Sequence, residues 1–212
     1  MGTVFKPELS HLEERIFFRW LSTPIAKFLS KTKVMPNTVS IFNFILTLIG
    51  CVFISLTAYN SLIVGVIFLY FGLVFDKVDG TLAKLKSVPA PPRIFFEGFL
   101  DKLGEIALFI AIAIATRQYL TLSYSIFIII SVAGLMMFYY HHLSAMLYFG
   151  TRPPKKISRP FILSYTRAKH FLLIIFLALI NRLEFFFPIF SLLFIYSLAL
   201  FFRTLILHKG AK

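Results

Sequence analysis

Residues 75–84 read FDKVDGTLAK and residues 94–105 read IFFEGFLDKLGE. These two stretches hold five of the nine carboxylates in the chain of 212 residues: Asp76, Asp79, Glu97, Asp101 and Glu105. The residues around them are apolar enough to span a membrane, where an ionisable side chain is costly unless it is paired, hydrated or bound to metal. Five acids in such segments therefore predict a functional site.

Helical spacing brings the acids onto shared faces. Asp76, Asp79, Gly80 and Ala83 recur at intervals of three and four residues, and the three later acids recur at intervals of four. Ion pairing is one explanation, because basic residues stand nearby: Lys77, Lys84, Lys86, Arg93 and Lys102. These bases are too few on the same faces to pair with every acid, so the pattern favours a metal site.

The ligand atoms indicate which metal. Carboxylate oxygens without cysteine or histidine suit one or two Mg²⁺ or Mn²⁺ ions and make zinc a poor fit. Such ions can hold a diphosphate and activate an attacking hydroxyl, which is the usual arrangement for in-line displacement at phosphorus.

Composition independently predicts an integral membrane protein. Hydrophobic residues make up 58% of the chain, against about 45–50% in soluble domains. Apolar runs long enough to cross about 30 Å of hydrocarbon are residues 39–58, 61–75 (continuing as a helix to 86), 94–116, 122–147, 161–180 and 185–207. An amphipathic helix over residues 8–29 precedes them. The predicted fold is an all-α integral membrane domain over residues 1–212, with an interfacial segment at 1–33 and a six-span bundle at 34–212.

The distribution of basic residues orients this bundle. All but two of the 22 lysines and arginines fall on segments that the six spans place on one side, and the exceptions are Arg117 and Arg182. By the positive-inside rule, both termini and the acidic site face the cytoplasm in a multi-pass protein of the cell membrane. Membrane lipids with anionic headgroups and phosphorylated substrates account for the net charge of +13 without any nucleic acid.

The acidic segments resemble the CDP-alcohol phosphotransferase (CDP-alcohol phosphatidyltransferase) family of membrane enzymes. That family's pattern is Asp-x2-Asp-Gly-x2-Ala-Arg, eight or nine residues, then Gly-x3-Asp-x3-Asp. Six residues fall on it: Asp76, Asp79, Gly80, Ala83, Asp101 and Glu105. Pro36-Asn37-Thr38 is similar to the family's Pro-Asn start of its first transmembrane helix. In this register Lys84 replaces the arginine, Glu97 the glycine and Glu105 the last aspartate, and the stretch of residues 85–96 exceeds the family spacing.

The resemblance implies both a reaction and the residues that perform it. A phosphatidyl-type group would pass from a CDP-linked lipid donor to an alcohol acceptor, with release of CMP. The implied metal ligands are Asp76, Asp79, Asp101 and Glu105, and Glu105 would also be the catalytic base. The implied nucleotide-binding residues are Asn37, Asp79, Gly80, Ala83 and Lys84. The resemblance further implies a tendency to form homodimers.

Basic residues elsewhere predict the kind of acceptor. Arg203 lies inside the apolar end of the last span, where a charge needs an anionic partner or a path to water. A basic loop with Arg152, Lys156 and Arg159 is predicted on the same side as the acids, although such a loop can be a topology anchor alone. Together they favour a phosphorylated polyol, such as inositol phosphate or glycerol phosphate.

Two other classes of protein fit parts of this pattern. A divalent-metal transporter also carries acids on membrane helices, but usually near the midplane on broken helices. A non-catalytic family member that binds nucleotide or a partner would explain the altered arginine and glycine positions. Magnesium-dependent CMP release separates this second class from an enzyme.

Overall fold

The computed structural model describes residues 18–149 and 167–209. Its helices are α1 Trp20–Ser30, α2 Pro36–Ser55, α3 Tyr59–Leu85, α4 Ala90–Ala115, α5 Leu122–Phe149, α6 Arg167–Leu179 and α7 Phe186–Lys209, with 3-10 turns at Arg117–Tyr119 and Leu183–Phe185. The predicted all-α class is confirmed for this part of the chain. The chain divides within α4 into two compact units, Met1–Ala111 and Ile112–Lys212.

In the first unit, α2 and α3 cross with their backbones in contact. A Cβ added at Gly65 would lie 2.9 Å from the carbonyl oxygen of Gly50 and 2.9 Å from Cγ1 of Ile54. Helix α4 approaches α2 at another glycine, because a Cβ on Gly104 would lie 3.3 Å from Cγ2 of Thr47. Small residues at helix crossings are typical of membrane proteins, where they permit close backbone approach.

Helix α2 buries three polar side chains among apolar ones and exposes large apolar side chains. Its buried residues include Ser40, Asn43 and Thr47. Large apolar side chains on the other face are exposed: Ile41, Phe42, Ile45, Leu48 and Val52. A water-soluble protein rarely exposes so continuous an apolar patch, whereas a lipid-facing helix has this distribution.

Helix α1 packs with its small residues and leaves its large apolar residues outside. Ser22 and Ala26 are buried, while Trp20 is 66% and Phe28 is 69% exposed. The predicted amphipathic helix began at residue 8, and residues 8–17 lie outside the described part. The exposed aromatic side chains suit the membrane interface predicted for this helix.

The connection from α3 to α4 is shorter than the sequence predicts. Prolines at 89, 91 and 92 are typical of a loop, and the sequence predicts that the next span begins at residue 94, but α4 already begins at Ala90. Proline is tolerated in the first helical turn because the N–H it lacks has no intrahelical partner there. In the short connection, Lys86 Nζ donates hydrogen bonds to the carbonyl oxygens of Thr32 (2.6 Å) and Val34 (2.8 Å).

In the second unit, hydroxyl groups join α5 to α7 and to the 3-10 turn before α7. Ser191 Oγ donates to the Phe127 carbonyl oxygen at 2.8 Å, and it lies 2.9 Å from Ser131 Oγ. Tyr124 donates to the Glu184 carbonyl oxygen at 3.1 Å. Hydroxyl groups are common interhelical links between apolar helices. Buried aromatic side chains form much of the core of this unit: Phe171, Phe186, Phe187 and Phe190.

Helices occur at all six positions predicted to span the membrane, although residues 161–166 of the fifth lie outside the described part. Two described helices, Pro36–Ser55 and Tyr59–Leu85, are long and apolar enough to cross a membrane. The six-span count and the cytoplasmic orientation of the termini stay predictions.

The crossing at Gly65 predicts a stability difference between two glycine substitutions. Gly65→Ala should destabilise the protein by about 1–3 kcal/mol, because the new methyl group meets backbone on α2. Gly98→Ala is the matched control, since a Cβ at Gly98 meets nothing within 4 Å. The control should be neutral or stabilising by up to about 1 kcal/mol. Thermal unfolding in detergent micelles measures both, and equal effects would contradict the packing described for α2 and α3.

Candidate metal centre

Asp79 on α3 is a fully buried carboxylate with one satisfied oxygen. Ser40 Oγ, one turn into α2, donates to Asp79 Oδ2 at 2.7 Å. Asp79 Oδ1 is buried without a hydrogen-bond partner, and the described residues give Asp79 no cationic partner. Burying an ionised carboxylate without a charged partner costs free energy, so a cation bound next to Asp79 would stabilise the protein.

Three more carboxylates gather beside Asp79. Asp76 on α3 and Glu97 and Asp101 on α4 each offer an oxygen atom, and these three atoms lie within 4.8 Å of one another. The Asp76 side chain is 9% exposed. All three groups are close enough to Asp79 to repel its negative charge. A hard divalent cation fits this all-oxygen set of ligand atoms, and it would offset the repulsion.

Basic residues partly neutralise the cluster, so the ion pairing considered from the sequence is present. Lys77 Nζ lies 3.0 Å from Asp76 Oδ2. Arg93 and Glu97 form an ion pair four residues apart on α4. Pairing of this kind accounts for Asp76 and Glu97 but leaves Asp79 with a single hydroxyl donor.

Glu105 does not belong to the group of three. It lies one turn beyond Asp101 on α4, is 5% exposed, and accepts a hydrogen bond from Lys102 Nζ at 2.6 Å. Glu97, which the sequence register placed at a glycine position, is in the group instead. Glu97 and Asp101 are one turn apart on α4, and this pair lies nearer to Asp76 than the next turn, which carries Glu105.

The predicted nucleotide-binding residues differ in exposure. Gly80 has open space beside it, because an added Cβ would meet nothing within 4 Å. Asn37, in the first turn of α2, and Lys84, near the end of α3, are exposed, whereas Ala83 is buried. Gly80, Asn37 and Lys84 are therefore accessible to a ligand, while Ala83 contributes packing.

The predicted acceptor residues are placed only in part. Arg203 lies on α7 in the second unit, in a stretch where the backbone alone is described. Arg152, Lys156 and Arg159 lie outside the described residues.

Arg93 is a site residue that the sequence analysis named only as an ion-pairing base. Its spacing of four residues from Glu97 was the signal that it contacts the carboxylate cluster.

Solved structures of a phosphatidylinositol phosphate synthase have a similar fold. The structure of Mycobacterium tuberculosis phosphatidylinositol phosphate synthase (PgsA1) with CDP-DAG bound superposes with a TM-score of 0.68 at 16% identity, covering 87% of this chain and 93% of that one. The structure of the same enzyme in complex with manganese and citrate gives 0.69 at 15% identity, covering 87% and 88%. At these identities, the likeness establishes the fold of a membrane protein.

A sequence relative matches only part of this chain. An uncharacterized protein of Aquifex aeolicus (strain VF5) is 25% identical over 103 residues, which are 49% of this chain and 51% of that protein. The match therefore spans about half the length of this curated relative. The sequence model of CDP-alcohol phosphatidyltransferases, in contrast, matches residues 33–204, which include α2 through most of α7 and every acid of the cluster. The chain belongs to the CDP-alcohol phosphatidyltransferase family.

Proposed function

We propose that this protein transfers a phosphatidyl-type group from a CDP-linked lipid to the hydroxyl of a phosphorylated polyol, with release of CMP. The observation that carries the proposal is the gathering of Asp76, Glu97 and Asp101 beside the buried Asp79. The family membership supports phosphatidyl transfer from a CDP-lipid to an alcohol. The phosphorylated acceptor is the finer part of the proposal.

The geometry supports a different register of the family pattern along α4. Eight residues counted on from Lys84 end at Pro92, so the glycine position falls on Arg93 and the two acidic positions fall on Glu97 and Asp101. This register keeps the family spacing and needs no insertion. It also uses the two α4 acids that the structure groups with Asp76. Asp101 then takes the place of the last aspartate, which the sequence register had given to Glu105.

Four carboxylates would hold the metal ion in this register: Asp76, Asp79, Glu97 and Asp101. One or two Mg²⁺ or Mn²⁺ ions, when bound, would polarise the phosphoryl oxygens and stabilise charge that develops in the transition state. The manganese complex of PgsA1 supports the choice of metal. Ser40 keeps the Asp79 carboxylate oriented through its hydrogen bond of 2.7 Å.

Asp101 is the residue that we assign to proton transfer. Its carboxylate accepts the proton of the acceptor hydroxyl as that oxygen forms a bond to the distal phosphorus of the donor. The bond between this phosphorus and the oxygen of the CMP phosphate breaks, and CMP leaves. No covalent intermediate with the protein is needed, because the hydroxyl attacks in line with the leaving group.

Donor and acceptor would be bound by different residues. The open space beside Gly80, with Asn37 and Lys84 exposed, suits the nucleotide of a CDP-linked lipid, and the CDP-DAG complex of PgsA1 supports this class of donor. The basic residues predicted for the acceptor, Arg203 and the loop with Arg152, Lys156 and Arg159, would bind its phosphate on the cytoplasmic side of a multi-pass cell-membrane protein. A homodimer is part of the same proposal.

The first prediction concerns metal affinity. Asp76→Asn and Asp101→Asn should each weaken Mn²⁺ binding by about tenfold or more, since even the outer partners of metal ligands contribute 10–100-fold. Glu105→Gln is the matched control on the same helix and should change the affinity less than twofold. The electron paramagnetic resonance signal of free Mn²⁺ gives the dissociation constants in detergent. An equal loss of Mn²⁺ affinity in Glu105→Gln would support the register predicted from the sequence, in which Glu105 is a metal ligand.

The second prediction separates the two candidate bases by turnover at saturating Mn²⁺. Asp101→Asn should lower CMP release from a CDP-lipid by about a hundredfold or more, the usual contribution of a positioned proton acceptor. Glu105→Gln should stay within a few-fold of the parent protein. The opposite ranking of the two variants would assign the role of base to Glu105. If the parent protein shows no metal-dependent CMP release, a non-catalytic family member is favoured.

The third prediction concerns the acceptor. In a panel of inositol phosphate, glycerol phosphate, inositol and serine, only the phosphorylated alcohols should drive CMP release. Arg203→Ala should raise the acceptor KM more than it lowers kcat, because a phosphate remote from the reacting hydroxyl is bound about equally in ground and transition states. Arg203→Lys should rescue poorly, since lysine lacks the guanidinium fork. An unchanged KM in Arg203→Ala would make Arg203 a membrane anchor alone.

A further inference from the structure

Arg93 lies at the edge of the carboxylate cluster in an incomplete hydrogen-bonding environment. One terminal nitrogen of its guanidinium pairs with Glu97 Oε2. The side chain is 14% exposed, and its Nε is buried without a hydrogen-bond partner. A guanidinium offers five N–H donors in a fixed fork, so a buried, unused donor is costly and leaves capacity for an anion.

The partner of Arg93 has a competing role. Glu97 offers an oxygen to the group with Asp76 and Asp101, which is the group that fits a divalent cation. A carboxylate that turns toward a cation gives up part of its interaction with the guanidinium. Arg93 would then be a largely buried charge without its anion, which is a condition that proteins avoid strongly.

The position of Arg93 in the family pattern adds a second, independent observation. Arg93 occupies the glycine position in the register that the geometry supports, while Lys84 occupies the arginine position and is exposed. The guanidinium at 84 is therefore absent, and one is present on the neighbouring helix beside the metal ligands. Planar guanidinium groups bind phosphate oxygens in pairs, which an ammonium group cannot do.

We infer that Arg93 binds the diphosphate of the donor. We further infer that Glu97 leaves Arg93 and turns to the metal ion when metal and donor are bound. This inference rests on the proposed function for the identity of the donor. The ion pair of Arg93 and Glu97 is the unloaded arrangement. Metal draws Glu97 away, the diphosphate replaces Glu97 as the anion on Arg93, and each ligand thereby favours the other, as linkage requires.

The test uses CDP as a soluble probe of the donor and Mn²⁺ as the metal, with the full chain in detergent and calorimetric titration as the readout. In the presence of Mn²⁺, Arg93→Ala should weaken CDP binding by about ten- to a hundredfold, the range of a lost charge-assisted hydrogen bond or pair. Without CDP, the same variant should bind Mn²⁺ as tightly as the parent protein or more tightly, because Glu97 no longer has a competing partner. Loss of CDP affinity without any loss of Mn²⁺ affinity is the signature of the exchange.

Three further variants sharpen this test. Arg93→Lys keeps the charge without the guanidinium fork and should give an intermediate CDP affinity. This variant replaces Arg93→Ala in the test if Arg93→Ala unfolds. Lys84→Arg in the Arg93→Ala background should recover CDP binding, since it returns a guanidinium to the family position. Arg182→Ala is the control, because Arg182 also pairs with a glutamate but is 62% exposed and lies in the other unit. That control should leave both affinities unchanged.

The outcomes distinguish this inference from the function on which it rests. If the parent protein fails to bind CDP with Mn²⁺ present, both the inference and the proposed donor are wrong. If the parent protein binds CDP and Arg93→Ala binds it equally well, only the inference is wrong. Weaker Mn²⁺ binding in Arg93→Ala would also overturn it, because the ion pair would then support the metal site instead of competing with it.

Discussion

Mutual repulsion among carboxylates is the constraint on which this structure depends. Asp79 is buried with one oxygen unpartnered, and the charges of Asp76, Glu97 and Asp101 act on it from close range. A fold can hold such groups only if the packing around them is firm and a cation is available. The close crossing at Gly50 and Gly65, and the approach of Gly104 to Thr47, supply that packing on the two helices that carry the acids.

The polar side chains that α2 buries serve the same purpose. Ser40 faces Asp79 across the helix pair, and the large apolar side chains of α2 are left on the outside. An arrangement of this kind would be unstable in water, where apolar groups gain by burial. In hydrocarbon the outward apolar groups cost nothing, and the buried polar groups gain from one another. In hydrocarbon, polar and reactive side chains are therefore placed on the face of the helix that packs against other helices.

Much of this could be predicted from the sequence. Apolar run length located the helices to within a few residues, and the spacing of Asp76 and Asp79 placed them on one face. The register of α4 could not be read from periodicity alone, because Glu97, Asp101 and Glu105 repeat every four residues and each successive pair has the spacing between the two acids of the family pattern. Prolines at 91 and 92 also resembled a loop, whereas a helix tolerates proline in its first turn. The distance from Lys84 was the sequence signal for the pair Glu97 and Asp101, and the structure groups this pair with Asp76.

The length of α3 determines where in the membrane the chemistry takes place. Its 27 residues extend about 40 Å at 1.5 Å per residue, which exceeds the roughly 30 Å hydrocarbon layer by about two turns. Counted from Tyr59, the excess falls on the end that carries Asp79 and Gly80, at the depth of lipid headgroups. A donor held in the bilayer by its own acyl chains presents its diphosphate at this depth and need not leave the membrane. Its effective concentration would be a surface mole fraction, whereas the phosphorylated acceptor proposed above would act at its ordinary concentration in water.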